Sequence, residues 1–153
     1  MTKQTANPPD LKDVKILRVL KKDARATIRH ISKSTGIRPS TVHQRLVKLF
    51  KDGTITRFTI DIDEKMVGLN FTVYMLIAGK LDKYLDTEII NNHNLVELSG
   101  ITGEFDLIMK LKFHDMDEFN RFLITFRERY AEKVTKTVTM VQTICLKDEG
   151  TPI

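Results

Sequence analysis

One short segment of the chain carries side chains that are suited to bind nucleic acid. The segment lies in HISKSTGIRPSTVHQRL, residues 30–46, and continues to residue 48. Glutamine and arginine can pair with the edges of adenine and guanine, while hydroxyl groups and lysine commonly hold phosphate. Within this segment, Gln44 and Arg45 are expected to contact bases and Lys48 a phosphate. The predicted DNA contact surface consists of Arg38, Ser40, Thr41, His43, Gln44, Arg45 and Lys48.

Three predicted helices position these side chains. Asp10 is suited to cap the first helix, Thr27 to begin the second, and Pro39 to occupy the first turn of the third. Gly36 can adopt the left-handed conformation that ends a helix. Apolar residues recur at helical spacing in each segment, so the helices are expected to share a small core. The apolar face of the first helix is predicted to contain Leu11, Val14, Leu17 and Leu20, with Ile16 flanking it.

The spacing around Gly36 is typical of a helix-turn-helix. Ser32 lies four residues before the glycine and Val42 six residues after it. The earlier position must be small so that the two helices can pack closely. Thr35 departs from the pattern, which usually has an aliphatic residue before the glycine, and Arg38 is a poor helix cap. A solvated basic hairpin is the alternative interpretation of this segment.

The basic residues are concentrated in the N-terminal part of the chain. Residues 1–60 contain 14 lysines and arginines against 4 acidic residues, a net charge of +10, whereas residues 61–153 contain 11 against 16, a net charge of −5. Because phosphate contacts dominate the affinity of proteins for DNA, this division indicates a DNA-binding module joined to a module with another role. Chance surface composition is the alternative explanation.

The composition argues against several other classes of protein. Cys145 is the only cysteine, so an intrachain disulfide is impossible and a thiolate zinc site is not expected. His30 and His43 have no partner at ligand spacing, and we predict neither a metal nor a cofactor. The first ten residues lack the apolar core of a secretory signal, and the longest apolar stretch, residues 73–79, is too short to span a bilayer. We therefore expect a cytoplasmic protein with no membrane partner.

A strand and a hinge are predicted between the two modules. In DGTITRFTIDID, apolar and polar residues alternate after a turn, with Phe58, Ile60 and Ile62 on one side. The following EKMVGLN is predicted to be the linker, with Gly68 as its hinge.

From Phe71 onward the pattern is strand, helix, strand, strand, helix, strand. This order is that of a ferredoxin-like domain, with both helices on one face of a four-stranded antiparallel sheet. We predict an α+β protein, in which a three-helix, winged-helix-like helix-turn-helix domain is joined by a strand and hinge to a C-terminal ferredoxin-like βαββαβ domain. The first helix is expected to carry Leu81, Leu85 and Ile89 inward, and the second Met116, Phe119, Leu123, Phe126 and Tyr130. The predicted boundaries are a disordered tail at 1–9, the helix-turn-helix domain at 10–57, the strand and linker at 58–70, the ferredoxin-like domain at 71–147 and a tail at 148–153.

The first predicted strand of this domain is apolar on both of its sides. Phe71, Val73 and Met75 alternate with Tyr74 and Leu76, although an antiparallel sheet with one face in water should carry polar residues there. The second face of the sheet is therefore expected to pack on an identical chain and to form a two-fold dimer.

The loop GITGEFD, residues 100–106, could bind the two ends of an amino acid. Glycines let a backbone turn present amide groups toward an anion, and Asp106 could accept hydrogen bonds from an ammonium group. An ordinary turn is the alternative interpretation.

Together these segments resemble the feast/famine, or Lrp/AsnC, family of transcriptional regulators. The resemblance covers nearly everything from Asp10 to Lys147, and it depends on the order and spacing of DLKDVKILRVLKKDAR, ISKSTGIRPSTVHQRLVKLFKDGTI, TRFTIDIDEKMVGL and ELSGITGEFDLIMKL. It implies a regulator that binds double-stranded DNA and dimerises through its ferredoxin-like domain, often assembling further into octamers. It also implies an amino-acid effector near Gly100, Thr102, Gly103, Glu104, Phe105 and Asp106.

Two other functions remain as alternatives at this point. A high-order oligomer with a basic patch could coat DNA with little sequence preference. Siroheme decarboxylases resemble the same two-domain architecture, but they use basic residues in a cavity of the C-terminal domain, which here is net acidic. We therefore expect a regulator and not an enzyme.

Overall fold

The computed structural model describes residues 8–79, 86–148 and 152–153. The chain divides into two compact units, an N-terminal unit that extends to Asp61 and a C-terminal unit that comprises Ile62–Asp148. Most of the predicted N-terminal tail and part of the C-terminal tail lie outside the described residues, as do Leu81 and Leu85. No helix within the described residues is long and apolar enough to cross a membrane.

The N-terminal unit consists of three helices, α1 (Leu11–Lys22), α2 (Ile28–Thr35) and α3 (Pro39–Lys51). Their ends follow the signals in the sequence. Asp10 caps α1 and forms a capping box with Asp13, and Thr27 caps α2 through its hydroxyl group. Gly36 ends α2 with a φ of 72°, in the left-handed region.

The buried face of α1 differs from the predicted one. Ile16 and Leu20 enter the core of the N-terminal unit, while Leu11 is 83% exposed. Asp13, three residues before Ile16, is buried with only 2% of its surface exposed. An apolar pattern could not reveal this face because one of its positions is acidic. The other buried apolar residues of this core are Ile31, Ile37, Val42 and Leu49.

The strand predicted after α3 is not formed. Residues 54–63, all of which the structure describes, belong to no strand, and Phe58, Ile60 and Ile62 are exposed. A strand needs a neighbour that pairs with its backbone, and no described segment of this chain pairs with residues 54–63. The alternating pattern therefore has no strand partner among the described residues.

The predicted hinge glycine, Gly68, lies in a turn within the C-terminal unit. Gly68 has a φ of 80°, and its carbonyl oxygen accepts a hydrogen bond from Nδ1 of His114 at 3.0 Å. Glu64, in the same turn, forms an ion pair with Lys112. These contacts connect the turn that contains Gly68 to residues 112–114, and the hinge stays a prediction.

The C-terminal unit has the predicted ferredoxin-like order of elements. Its elements are β1 (Phe71–Gly79), α4 (Thr87–Ile90), β2 (Leu95–Gly100), β3 (Leu107–Phe113), α5 (Met116–Tyr130) and β4 (Val134–Val141). The strands form one antiparallel sheet in the order β2-β3-β1-β4. The inner strands β1 and β3 therefore lie between the edge strands β2 and β4.

One face of the sheet forms the core of this unit together with the helices. Alternate residues of β1 and β3 are buried beneath Phe119, Phe126 and Tyr130 of α5, as the helical spacing predicts. Met116, which was expected on the same face, lies half exposed at the first position of α5. The buried strand residues are Val73, Met75, Ile77, Leu107, Met109, Leu111 and Phe113.

The opposite face of the sheet carries both apolar and basic side chains. Leu76, in the centre of β1, lies between Ile108 of β3 and Val138 of β4 in the strand register. Lys110 extends over the ring of Tyr74, with Nζ 5.8 Å from the ring centroid, and forms an ion pair with Asp148. No helix described in this unit lies on this face of mixed character, which we call the open face.

Candidate nucleic-acid interface and ligand loop

The exposed face of α3 carries most of the residues that were predicted to contact DNA. Thr41 is half-buried, beside the core residue Val42. The predicted residues with exposed side chains are Arg38, Ser40, His43, Gln44 and Lys48. This face therefore offers hydroxyl, imidazole, amide and cationic groups to solvent.

Two further residues share this face and were missed in the sequence. Val47 and Lys51 lie three and seven residues after Gln44, a spacing that places all three on one side of a helix. Both are exposed, and Val47 has 55% of its surface in solvent. An exposed valine beside an amide side chain is suited to contact the methyl group of thymine. The helical period from Gln44 predicts both positions, but Val47 is apolar and Lys51 lies beyond the segment that ends at residue 48.

The turn before α3 is held by side-chain hydrogen bonds. The hydroxyl group of Thr35 donates to the carbonyl oxygen of Ile31 at 2.7 Å and accepts from the amide of Ile37 at 3.3 Å. The amide of Gly36 donates to the carbonyl oxygen of Ser32 at 2.9 Å. Thr35 thus replaces the usual aliphatic residue with a hydrogen-bonded bridge between α2 and the turn.

Arg45 does not lie on the exposed face. Its Nη1 atom lies 2.6 Å from both carboxylate oxygens of Asp10 and 2.8 Å from Oδ1 of Asp13. The guanidinium group is thus occupied by two carboxylates at the start of α1. The prediction that Arg45 contacts a base did not anticipate this pairing. Arg45 lies three residues after Val42 and four before Leu49, both of which are buried, and this spacing places it at the flank of the exposed face.

The ligand loop, residues 100–106, is closed by its last residue. The amide of Asp106 donates to the carbonyl oxygen of Ile77, and its own carbonyl oxygen accepts from the amide of Ile101, both at 2.9 Å. Oδ2 of Asp106 accepts from the amide of Gly79 at 2.9 Å. The carboxylate that was predicted to bind an ammonium group therefore fastens the loop to β1.

The tip of the ligand loop contains an ion pair and an aromatic ring. Glu104 pairs with Lys136 of β4, whose Nζ atom lies 5.2 Å from the ring centroid of Phe105. Gly103 has a φ of 126°, which favours glycine, whereas Gly100 is the last residue of β2. The amides of residues 102–105 donate no hydrogen bond to any described residue. The tip thus combines available amide donors, a carboxylate and a cation.

Within the described ranges, no group of three histidine, cysteine, aspartate or glutamate side chains could hold a metal ion.

Both parts of the chain match known domain families. Residues 10–49 match the AsnC-type helix-turn-helix domain, and residues 84–151 match the Lrp/AsnC ligand binding domain. The first match covers α1, α2 and most of α3, and the second includes the ligand loop.

Relatives and solved structures agree with these matches. The chain is 36% identical to the HTH-type transcriptional regulator FL11 of Pyrococcus horikoshii over 76% of this chain and 78% of the relative. It is 32% identical to an uncharacterized HTH-type transcriptional regulator of Pyrococcus furiosus over 92% and 96%. Its fold is similar to that of a transcriptional regulator from Neisseria meningitidis in complex with L-Met, with a TM-score of 0.80 and 20% identity over 91% of this chain and 92% of the other.

Proposed function

Because this chain belongs to the Lrp/AsnC family of transcriptional regulators, we propose that the exposed face of α3 reads an operator sequence in double-stranded DNA. The matched families and the named relatives are DNA-binding regulators, so the chain is a regulator and not an enzyme. The observation that carries the proposal is the exposure of Gln44 and His43 on a helix that follows a left-handed glycine turn. Such a turn lets the second helix of the motif enter the major groove.

The residues on this face have different proposed roles. Gln44 pairs with an adenine edge, and Val47 contacts a neighbouring thymine methyl group. Lys48 binds phosphate, which adds affinity without sequence preference. Arg38, Ser40, Thr41 and His43 complete the proposed contact surface.

A mobility-shift titration tests this proposal. The DNA from upstream of the protein's own coding region is compared with scrambled DNA of equal length at near-physiological salt. We expect the upstream DNA to bind at least roughly a hundredfold more tightly than the scrambled DNA. This threshold is below the typical specificity ratio of roughly a thousandfold or greater. Equal affinity for both DNAs would instead favour the alternative of a DNA-coating protein, and no binding would contradict both.

Substitutions then separate base reading from phosphate binding. Gln44→Ala should weaken operator binding by about 1–3 kcal/mol and relax the preference at one base pair. Lys48→Ala should weaken binding to all sequences alike. Lys133→Ala removes the same charge in the C-terminal unit and serves as the control.

We further propose that the ligand loop binds the zwitterion of an amino acid. The amides of residues 102–105 would receive the carboxylate, and Glu104 would receive the ammonium group in place of Lys136. The L-Met complex of the structural neighbour is consistent with this class of ligand. Asp106 supports the loop in this arrangement and does not contact the ligand.

Calorimetric titration with each L-amino acid, beginning with L-methionine, tests the loop. We expect at least one to bind, and Glu104→Gln to weaken that binding, because the ammonium group loses its ionised acceptor. Glu128→Gln, an exposed change on α5, is the matched control. Equal affinities for wild type and Glu104→Gln would contradict the proposed role of Glu104.

We also propose that two copies of the chain pair through their open faces. The support is the row of half-buried apolar residues on β1, which two helices on the other face cannot cover. Assembly into larger oligomers such as octamers is proposed only by resemblance to the family.

A further inference from the structure

A compact cluster of three charged side chains joins α1 to the flank of α3. One nitrogen of Arg45 contacts both oxygens of Asp10 and one oxygen of Asp13, all within 2.8 Å. Asp13 is almost fully buried, whereas more than half of the Asp10 side chain is exposed. We call these three residues the α1–α3 cluster.

Backbone amides at the start of α1 hold both carboxylates in addition to Arg45. Oδ1 of Asp10 accepts from the amides of Lys12 at 2.8 Å and Asp13 at 3.0 Å. Oδ2 of Asp13 accepts from the amide of Asp10 at 3.1 Å. Because the capping box fixes both acceptors, Arg45 locks the middle of α3 against a rigid end of α1.

Arg45 lies next to the proposed DNA surface. Thr41 and Lys48 are one helical turn before and after it, and both belong to that surface. A guanidinium group released from the cluster would add a mobile cation beside these residues. Such a cation binds any phosphate and so contributes affinity without sequence preference.

We infer that the α1–α3 cluster positions α3 and also keeps the charge of Arg45 away from DNA. This inference rests on the proposed function, because it assumes that α3 faces DNA. It follows that substituting Arg45 and substituting the two aspartates should change DNA affinity in opposite directions. Removing Arg45 leaves two carboxylates beside α3 and weakens DNA binding, whereas neutralising the carboxylates frees Arg45 and strengthens binding to unrelated DNA.

Salt titrations of DNA binding test this inference in the full chain. The variants are Asp10→Asn, Asp10→Asn/Asp13→Asn, Arg45→Met and the triple variant. Asparagine at position 10 can still cap α1, and circular dichroism defines a temperature at which every variant is folded. Asp23→Asn, which removes one charge at the other end of α1, is the matched control for Asp10→Asn.

The expected readout is the slope of log affinity against log salt. In the Asp10→Asn/Asp13→Asn variant this slope should steepen by roughly 0.9, which corresponds to one additional phosphate contact. Raising the salt concentration from 50 to 200 mM should then reduce the affinity of this variant by roughly threefold more than that of wild type. The preference for the operator over scrambled DNA should fall, and Arg45→Met in this background should restore the original slope. Arg45→Met alone should weaken binding to both DNAs alike.

A cluster with only a structural role would give a different result. In that case the double variant would weaken binding as Arg45→Met does and leave the slope unchanged, which would overturn the inference while wild type still binds its operator. Failure of wild type to bind either DNA would overturn the proposed function, and the inference with it.

Discussion

The role of a charged residue in this protein depends on its position on a helix more than on its type. Arg45 is of the type that reads guanine, yet it lies on the flank of α3 near the buried residues and binds two aspartates. Asp13 is acidic and is nonetheless buried, at the N-terminal end of the buried face of α1. Sequence reasoning located Gln44 and Lys48 correctly on the exposed side of α3, but it assigned Arg45 by chemistry and missed the pairing. Nothing in a local pattern connects residues 10 and 45, because their contact depends on the packing of α1 against α3.

The Asp10–Arg45 contact predicts a measurable change in acidity. The hydrogen bond from Arg45 is the largest of the effects that lower the pKa of Asp10 from 3.8 to about 2. In Arg45→Met, the pKa of Asp10 should therefore rise toward 3.8, as followed by NMR titration of its carboxyl carbon. Because the folded-state pKa is below the unfolded value, the ionised carboxylate stabilises the wild type above about pH 4, and this contribution is lost as the pH falls toward 2. An unchanged pKa in the variant would show that the backbone amides alone determine it.

The surroundings of Tyr130 predict a change in the stability of the protein at alkaline pH. Its hydroxyl group donates to Oδ1 of Asp86 at 2.8 Å, and burial together with this carboxylate raises the pKa of Tyr130 to about 12. The folded-state pKa exceeds the unfolded value of 10, so this stabilisation is complete below pH 10 and is lost as the pH rises to 12. Tyr130→Phe should lower the free energy of unfolding by about 1–2 kcal/mol at pH 7 and flatten the stability profile between pH 10 and 12.

Urea unfolding across this pH range checks the prediction for Tyr130. Tyr74→Phe is the control, because its hydroxyl group donates to a neutral amide, that of Gln142, at 3.3 Å. A loss in Tyr130→Phe no larger than in the control would contradict the proposed value of the Asp86 contact.

At the scale of helices and strands, the sequence predicted the order of elements and most of their ends. Asp10, Thr27 and Gly36 act locally, so their cap roles follow from neighbouring residues alone. The strand predicted over residues 54–62 failed for the opposite reason, since a strand depends on a partner that the sequence pattern does not supply. Similarly, the sequence showed that Asp106 lies in a turn but could not show that its carboxylate binds the amide of Gly79, which is distant in the chain.

Two glycines are expected to resist substitution for different reasons. At Gly36 a Cβ atom would have no neighbour within 4 Å, so only the left-handed backbone favours glycine. At Gly79 a Cβ atom would lie 2.1 Å from the carbonyl oxygen of Lys133, which a rigid strand end cannot avoid. Gly36→Ala should therefore cost about 1 kcal/mol, and Gly79→Ala about 2–3 kcal/mol.

Urea denaturation followed by circular dichroism compares these two glycine variants. Gly36→Asn is the control for backbone strain, because asparagine tolerates the left-handed region better than alanine does. A larger loss in Gly36→Ala than in Gly79→Ala would contradict the assignment of the two causes.

At the scale of the whole molecule, the sequence predicted two modules with separate tasks, and family membership agrees with that division. A dimer is proposed because no described helix of the C-terminal unit lies on the open face, and DNA-reading motifs of this type commonly act in pairs. The apolar character of both sides of β1 was visible in the alternation of its residues. The same alternation could not show that Lys110 pairs with Asp148 and Lys112 with Glu64.

A charge placed in the centre of the open face tests the proposed dimer. Leu76 lies between Ile108 and Val138, so Leu76→Lys would bury an unpaired ammonium group in an interface between two open faces. We expect wild type to sediment as a dimer or a larger oligomer and Leu76→Lys to sediment as a smaller species. Leu146→Lys, at a residue that is 87% exposed, is the matched control. Equal sedimentation of both variants and wild type would contradict the use of this face.

The segment that follows α3, residues 54–63, affects the solubility of the newly synthesised chain. Ile60 and Ile62 are exposed, and Phe58 is half exposed with its ring against that of Phe50, on a stretch whose backbone pairs with no described strand. Exposed apolar residues on an unpaired backbone are typical of an aggregation-prone edge. Arg57 and Asp61 interrupt the apolar residues and act as gatekeepers against self-association in the wrong register. Solubility during synthesis therefore depends on these two charges, and neutralising both should send a larger share of the protein into inclusion bodies without changing any residue of either core.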